Sequence, residues 1–307
     1  MTISRRGFLQ SSALAVAASS LPWRALGAQG AQPDLLTLVR GTVGTFTGSG
    51  GTIGWHIDTA STVVVDSQFP ASAKTCLDAV NGRTSARAID YLVNTHHHGD
   101  HTGGNGVFRP AATHILAHAN VPRLQREAAA RAAKNAAPGA PAPAEPVVAD
   151  VLFDTTWKQA VGSEVIALAY YGAAHTSGDA VVTFEKANVV HMGDLVFNRR
   201  HPVIDRPGGA SIAHWVVVME QVARAHAADT IYIFGHAGPT FGATGSRADL
   251  LHHRDYLTAL LEFVRAQIAT GAPRETVIRI TTPLPGFPDH GPLIERVLTA
   301  AYDELTA

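Results

Sequence analysis

Apolar and polar positions along this chain follow two rhythms, period two and period 3.6, and change over several times. Residues 35–46 and 54–66 alternate or run in β-branched residues and predict strands, with Gly48-Ser49-Gly50-Gly51 as the turn between them. Residues 71–80 then read as a helix. Ala88-Ile89-Asp90-Tyr91-Leu92-Val93-Asn94 predicts a short apolar strand, and 113–117 another that leads into a helix over 121–134. Further strands are expected at 147–153, 163–171, 180–185, 188–192 and 230–234. Helices are expected over 211–226 and 247–270, and a closing one over 292–305. Strand-rich and helix-containing stretches therefore occur twice in succession, which predicts an α/β sandwich of two similar halves. No repeat in the sequence itself marks the two halves.

Two stretches stand outside this pattern. Residues 136–146 are low in complexity and rich in Ala and Pro; their prolines fit neither a helix interior nor a sheet ladder, so an exposed loop is expected. Residues 1–28 predict an export signal rather than part of the fold. Ser4-Arg5-Arg6-Gly7-Phe8-Leu9 precedes a short alanine-rich apolar run and the small residues Ala25, Gly27 and Ala28. The paired arginines are similar to a twin-arginine signal, which implies the twin-arginine export machinery as a partner of the precursor and a periplasmic or secreted product. The run is too short to cross a hydrocarbon core of ~30 Å, so no stable membrane anchor is expected. Residues 29–307 then form one domain, because candidate ligands lie on both sides of the proline-rich loop.

Charge narrows the function. Lys and Arg total 24 and Asp and Glu 25, so no global bias favours nucleic acid, and a small-molecule substrate is the expectation. Cys76, the one cysteine, excludes an intrachain disulfide and sits in a helical pattern as a small buried residue.

The candidate chemistry centres on Thr95-His96-His97-His98-Gly99-Asp100-His101. Neutral imidazoles and a carboxylate are the ligands zinc prefers. His96 and His98 are two apart, so an extended backbone points both the same way and turns His97 aside. Gly99 begins a turn that brings Asp100 and His101 to a neighbouring point. Three further candidates, His175, Asp194 and His236, each have glycines beside them at predicted strand ends. His118, His191, His201 and His214 are expected to pack or face solvent, and His252 and His253 to lie on the surface of a helix.

His96, His98, Asp100, His101, His175, Asp194 and His236 match in order and context the metal positions of the metallo-β-lactamase superfamily, which the chain resembles from about Asp34 to His236. That resemblance implies an αββα four-layer sandwich with the site at the lip between its sheets, and two zinc ions. His96, His98 and His175 would hold one, Asp100, His101 and His236 the other, with Asp194 bridging in the manner of glyoxalase II and the lactonases. Two zinc ions can share a water and acidify it toward a pKa of ~7 for attack on a carbonyl, with Asp100 orienting the nucleophile. The main subclass of zinc β-lactamases has a cysteine at the Asp194 position and, three residues on, a lysine for the drug carboxylate; Phe197 stands there. Arg199 and Arg200 are the candidate replacement cations. The implied function is zinc-dependent hydrolysis of an ester, lactone, thioester or β-lactam. The rivals are a mononuclear iron sulfur-oxidising dioxygenase, a metallo-β-lactamase proper and a catalytically silent metal-binding protein.

Overall fold

A computed structural model describes residues 35–137 and 144–307. The expected signal segment and the centre of the proline-rich loop lie outside the described residues. The first half begins with β1 (Thr37–Arg40), β2 (Val43–Phe46), β3 (Ile53–Ile57) and β4 (Thr62–Val65). The single strands expected over 35–46 and 54–66 are thus two hairpins. Gly41 breaks the first by taking φ +60, and Asp58 breaks the second by accepting the N–H groups of Ala60 and Ser61. Helix α1 (Pro70–Thr84) follows, with proline in its first turn. Then come β5 (Ile89–Val93), the one-turn helices α2 (Gly99–Thr102) and α3 (Asn105–Phe108), β6 (Ala112–His118), α4 (Val121–Lys134) and β7 (Val151–Phe153). The sheet order β1 to β7 follows the sequence, antiparallel as far as β4 and parallel from β4 to β7.

The second half repeats that plan. Strands β8 (Thr156–Val161), β9 (Glu164–Ala169), β10 (Val181–Phe184) and β11 (Val189–His191) form an antiparallel meander. After β12 (Phe197–Asn198) and α5 (Ile212–Ala225), β13 (Ile231–Ile233) returns parallel to β11. Short β14 (His236–Ala237) pairs with β12, and β15 (Thr244–Gly245) with β13. Helices α6 (Arg247–Ala269), α7 (Arg274–Val277) and α8 (Glu295–Leu305) complete the chain. No helix among the described residues is long and apolar enough to cross a membrane.

Alternation along the strands builds the layers. Val63 and Val65 face the second sheet, where they join Val93, Leu116, Ile166, Leu168, Val182, Phe184, Val189 and Ile233 in one core. Val64, Leu92 and Ile115 point the opposite way, onto Ala73, Cys76 and Val80 of α1. Val181, Val190, Tyr232 and Phe234 point outward from the second sheet onto α5, α6 and α8 through Trp215, Val218, Leu257, Leu260 and Val297. The result is the expected αββα sandwich. Cys76 lies in the first outer core, where burial pushes its thiol up to about 12. His253 departs from expectation. It is 1% exposed, because α6 turns it inward among Phe197, Trp215 and Tyr256.

Candidate metal centre

The site sits where parallel strand pairs of both sheets end. Beyond β5 the chain bends rather than continuing as a strand, and α2 starts at Gly99. His96 Nε2 and His98 Nδ1 nevertheless lie 3.1 Å apart, on the same side. His175, in the loop between β9 and β10, brings Nε2 to 3.0 Å from His98 Nδ1. Asp194, in the 3₁₀ turn Gly193–Leu195 after β11, points Oδ2 at this trio, 3.5 Å from His175 and 3.9 Å from His96. Its Oδ1 faces the other group, 3.0 Å from His101 Nε2 and 3.4 Å from His236 Nε2. Asp100 Oδ2 closes that group at 3.0 Å from His236. All seven predicted residues therefore converge, one Asp194 oxygen toward each trio. His98, Asp100 and His236 are partly exposed at the mouth, while His96, His101, His175 and Asp194 are buried.

The outward nitrogens decide what the inward ones offer. His98 Nε2 lies 3.0 Å from Asp205, His175 Nδ1 2.8 Å from the Val203 carbonyl, and His101 Nδ1 2.7 Å from Asp66. Each partner only accepts, so each outer nitrogen carries the proton and the inner one a lone pair. Thr95 donates its hydroxyl proton to Asp66 at 2.8 Å, leaving its oxygen free to accept from His96 Nδ1. Inward lone pairs thus meet inward carboxylates, and Asp194 Oδ1 is buried without a hydrogen-bond partner among the described residues. Such a cluster repels itself unless a cation stands between its members. The separations of 3.0 to 3.9 Å bracket the edge of about 3.3 Å that a tetrahedron with zinc–nitrogen bonds of about 2.0–2.1 Å requires. The donor set fits zinc.

Burial holds His96 well below its ordinary value and brings His175 down to about 3, with neighbouring imidazoles adding to the effect. Burial also opposes a charge on His236, but Asp194 and Asp100 outweigh it and raise that ring to about 9.

Three contributors, Asp66, Asp205 and Gly51, were not read from the sequence. Asp66, at φ +67 just beyond β4, holds His101, Thr95 Oγ1 and the Thr95 N–H. Asp205 holds His98 and lies 3.2 Å from His97 Nε2, so His97 is turned away from the seven, as expected, but is buried against a carboxylate. A Cβ at Gly51 would overlap the His101 ring, and one at Gly235 would strike Asp194 Oδ1. Gly235 is legible as the glycine beside His236; Gly51 lies 50 positions from His101 and gave no signal.

The family model described as Metallo-beta-lactamase superfamily matches residues 53–266. The chain belongs to the metallo-beta-lactamase superfamily. Among solved structures it is similar to a metallo-beta-lactamase from Pontibacter korlensis, at 18% identity over 73% of this chain and 98% of that one, with a TM-score of 0.58. A sec-alkylsulfatase, Pisa1 from Pseudomonas sp., superposes with a TM-score of 0.65 at 17% identity over 87% of this chain and 49% of its own. A metallo beta lactamase from Hirschia baltica gives 0.55 at 18% identity, over 73% of this chain and 96% of that one. These likenesses establish the fold. No curated protein matches the sequence.

Members of the superfamily are metal-dependent hydrolases, and this chain brings together histidine and carboxylate groups that could hold a metal ion. Phe197 occupies the place beside the site where a cation was considered. It stacks on His236 at 5.3 Å and walls His175 and Trp215. Arg199 is held by Asp249 at 2.5 Å and by Asn198 at 2.7 Å, whereas Arg200 is exposed and has no ion pair among the described residues.

Proposed function

We propose that this superfamily member is a zinc-dependent hydrolase of small carbonyl substrates, carrying two ions per chain. The observation that carries the reading is the pair of inward donor groups sharing Asp194, with the lone pairs of His96, His98, His101 and His175 set by outward acceptors. When bound, a zinc pair supplies acidified water at neutral pH and polarises a carbonyl. His96, His98 and His175 would hold one ion, and Asp100, His101 and His236 the other, with Asp194 common to both. The remaining work belongs to the chain. Asp100, partly exposed at the mouth, turns one carboxylate oxygen to His236 and would orient the attacking water with the other. Phe197 excludes solvent from the buried side, and Asp66 and Asp205 keep the ligand rings from rotating.

The donor set favours a lactone or thioester over a β-lactam. Asp194 makes the second group all oxygen and nitrogen, and Phe197 offers no cation to a β-lactam carboxylate. An iron dioxygenase needs two histidines and one carboxylate, which would leave four of the seven converging residues idle. We also propose that the protein works outside the cytoplasm after twin-arginine export, on the strength of Arg5-Arg6-Gly7-Phe8-Leu9. The test is metal analysis of the purified protein, with rates on a lactone, a thioester and a chromogenic β-lactam. Two zinc ions are expected, together with ester-type turnover that Asp194→Ala abolishes along with one ion. One iron with oxygen uptake would overturn the reading.

A further inference from the structure

The run from Thr95 to His101 carries four histidines, of which the two-ion centre takes His96, His98 and His101. His97 is left over. It is 2% exposed, and neither of its ring nitrogens has a hydrogen-bond partner among the described residues. A buried imidazole with both nitrogens unmatched is costly and rarely kept without a reason.

Asp205 supplies the reason. His97 Nε2 lies 3.2 Å from Asp205 Oδ2. That distance suits a hydrogen bond, so what fails is direction: the ring's donor axis passes the oxygen by. Two ligands of one ion stand in this relation, because each points at the ion and neither at the other. His98 Nε2 lies 3.0 Å from the same Oδ2, and all three donor atoms fall within 4.8 Å of one another. The two measured edges are close to the edge of about 3.3 Å that tetrahedral zinc requires. Asp205 Oδ1 accepts from the Gly208 N–H at 3.0 Å, which leaves Oδ2 to the two rings. A Cβ at Gly208 would overlap Oδ2 and crowd His97 Cε1, so glycine keeps the point between them open. His98 and Asp205 are partly exposed, and an ion can arrive from solvent without opening the core.

We infer that His97 Nε2, Asp205 Oδ2 and His98 Nε2 form a third divalent-cation site, for an ion of the class of zinc or copper, that fills after the two-ion centre. Without the ion, His98 donates its outer N–H to Asp205. The ion takes the place of that proton, which leaves to solvent, and His98 then holds one ion on each ring nitrogen. Two features rank the site below the centre. It has to displace a proton, and Arg131 of α4 sets a positive charge near His97 that opposes another. The inference rests on the two-zinc reading only for the order of filling, since His97 and Asp205 are not ligands of the centre.

The experiment is equilibrium dialysis of the full chain against zinc alone, with the metal counted per chain. Wild type should hold two ions at trace zinc and gain a third as free zinc is raised. His97→Ala should keep the two and weaken the third step by at least about tenfold. Arg131→Gln touches no ligand and should tighten the third step about threefold at low ionic strength, a gain that about 1 M salt removes. His114→Ala, which deletes a partly exposed histidine beside Asp150 on the surface, should change nothing. No third ion in wild type, a third ion that survives in His97→Ala, or one lost equally in His114→Ala would overturn the proposal. Loss of the first two ions along with the third in His97→Ala would assign His97 to the support of the centre and overturn it as well. If His97→Ala does not fold, Arg131→Gln decides, and a third step that it leaves unmoved at low salt overturns the site. A chain that holds one ion at the centre and a further one dependent on His97 would sink the two-zinc reading and uphold this site.

Discussion

His98 presents a lone pair inward only while its outer N–H is held, and Asp205 Oδ2 holds it at 3.0 Å. The same carboxylate lies 3.2 Å from His97 and accepts from the Gly208 N–H at 3.0 Å, so its own position is fixed from a third side. His97 and His98 keep Asp205 below the usual carboxylate range against the cost of its burial. Asp205→Ala is therefore expected to weaken metal binding about 10- to 100-fold, and Asp205→Asn, which can still accept one N–H, less so. Competition with a chromogenic chelator measures this, and an unchanged affinity in the alanine variant would show that His98 is oriented by packing alone. Residues of this kind mark the limit of what the sequence discloses. The donors were legible because four histidines and an aspartate crowd six positions and the other three have glycines beside them. Asp205 lies 107 residues from His98, and Asp66 35 from His101, and only the fold brings them together.

Elements were legible where one face is buried and the pattern is long. Helices α4, α5 and α6 fall within a residue or so of their expected bounds, α5 and α6 because their apolar stripes are continuous and α4 because alanine, arginine and lysine of high helix propensity fill its second half. Strand β8 was missed: at the sheet edge its Lys158, Gln159 and Ala160 face solvent, so no apolar alternation announces it. Strands β12 and β14 are two residues each, and tertiary pairing alone defines them. Helix α5 shows how distant elements complete one another. Its first N–H groups have no partners within the helix. Glu304 of α8 takes them, accepting from Ile212 at 2.8 Å and Ala213 at 2.9 Å, with Arg206 at 3.1 Å; Ser211 caps the His214 N–H. Through Trp215 Nε1 donating to the Leu195 carbonyl, α5 in turn braces the turn that carries Asp194. Glu304→Ala should cost about 1–3 kcal/mol and lower Tm by about 2–4 °C per kcal/mol, with Glu304→Gln milder. Thermal unfolding checks this, and equal Tm values would mean that water replaces the carboxylate freely.

The two halves of the sandwich share the metal centre, the first giving His96, His98, Asp100 and His101 and the second His175, Asp194 and His236. They differ in what closes them, since only the second half carries a C-terminal arm folded back over its helices. That arm rests on a stack of neutral imidazoles: His290 against Tyr256, His252 against His290, and His201 hydrogen-bonded between Tyr256 and Pro292. Burial, reinforced by His252, His201 and Arg199, holds His290 down to about 3. A histidine whose folded value is depressed binds fewer protons folded than unfolded. Its contribution to stability is therefore fully present above about pH 6.5 and is lost as pH falls through that value toward 3. His290→Phe keeps the ring on Tyr256 and removes the titration. Its stability relative to wild type should rise steadily as pH is lowered from 7 to 4.5, a trend to be read from urea midpoints. Histidines of the metal centre titrate in both proteins and cancel in the difference. A gap that stays constant over this range would mean that His290 is already solvated in the folded state, and that the arm is not held by a neutral stack.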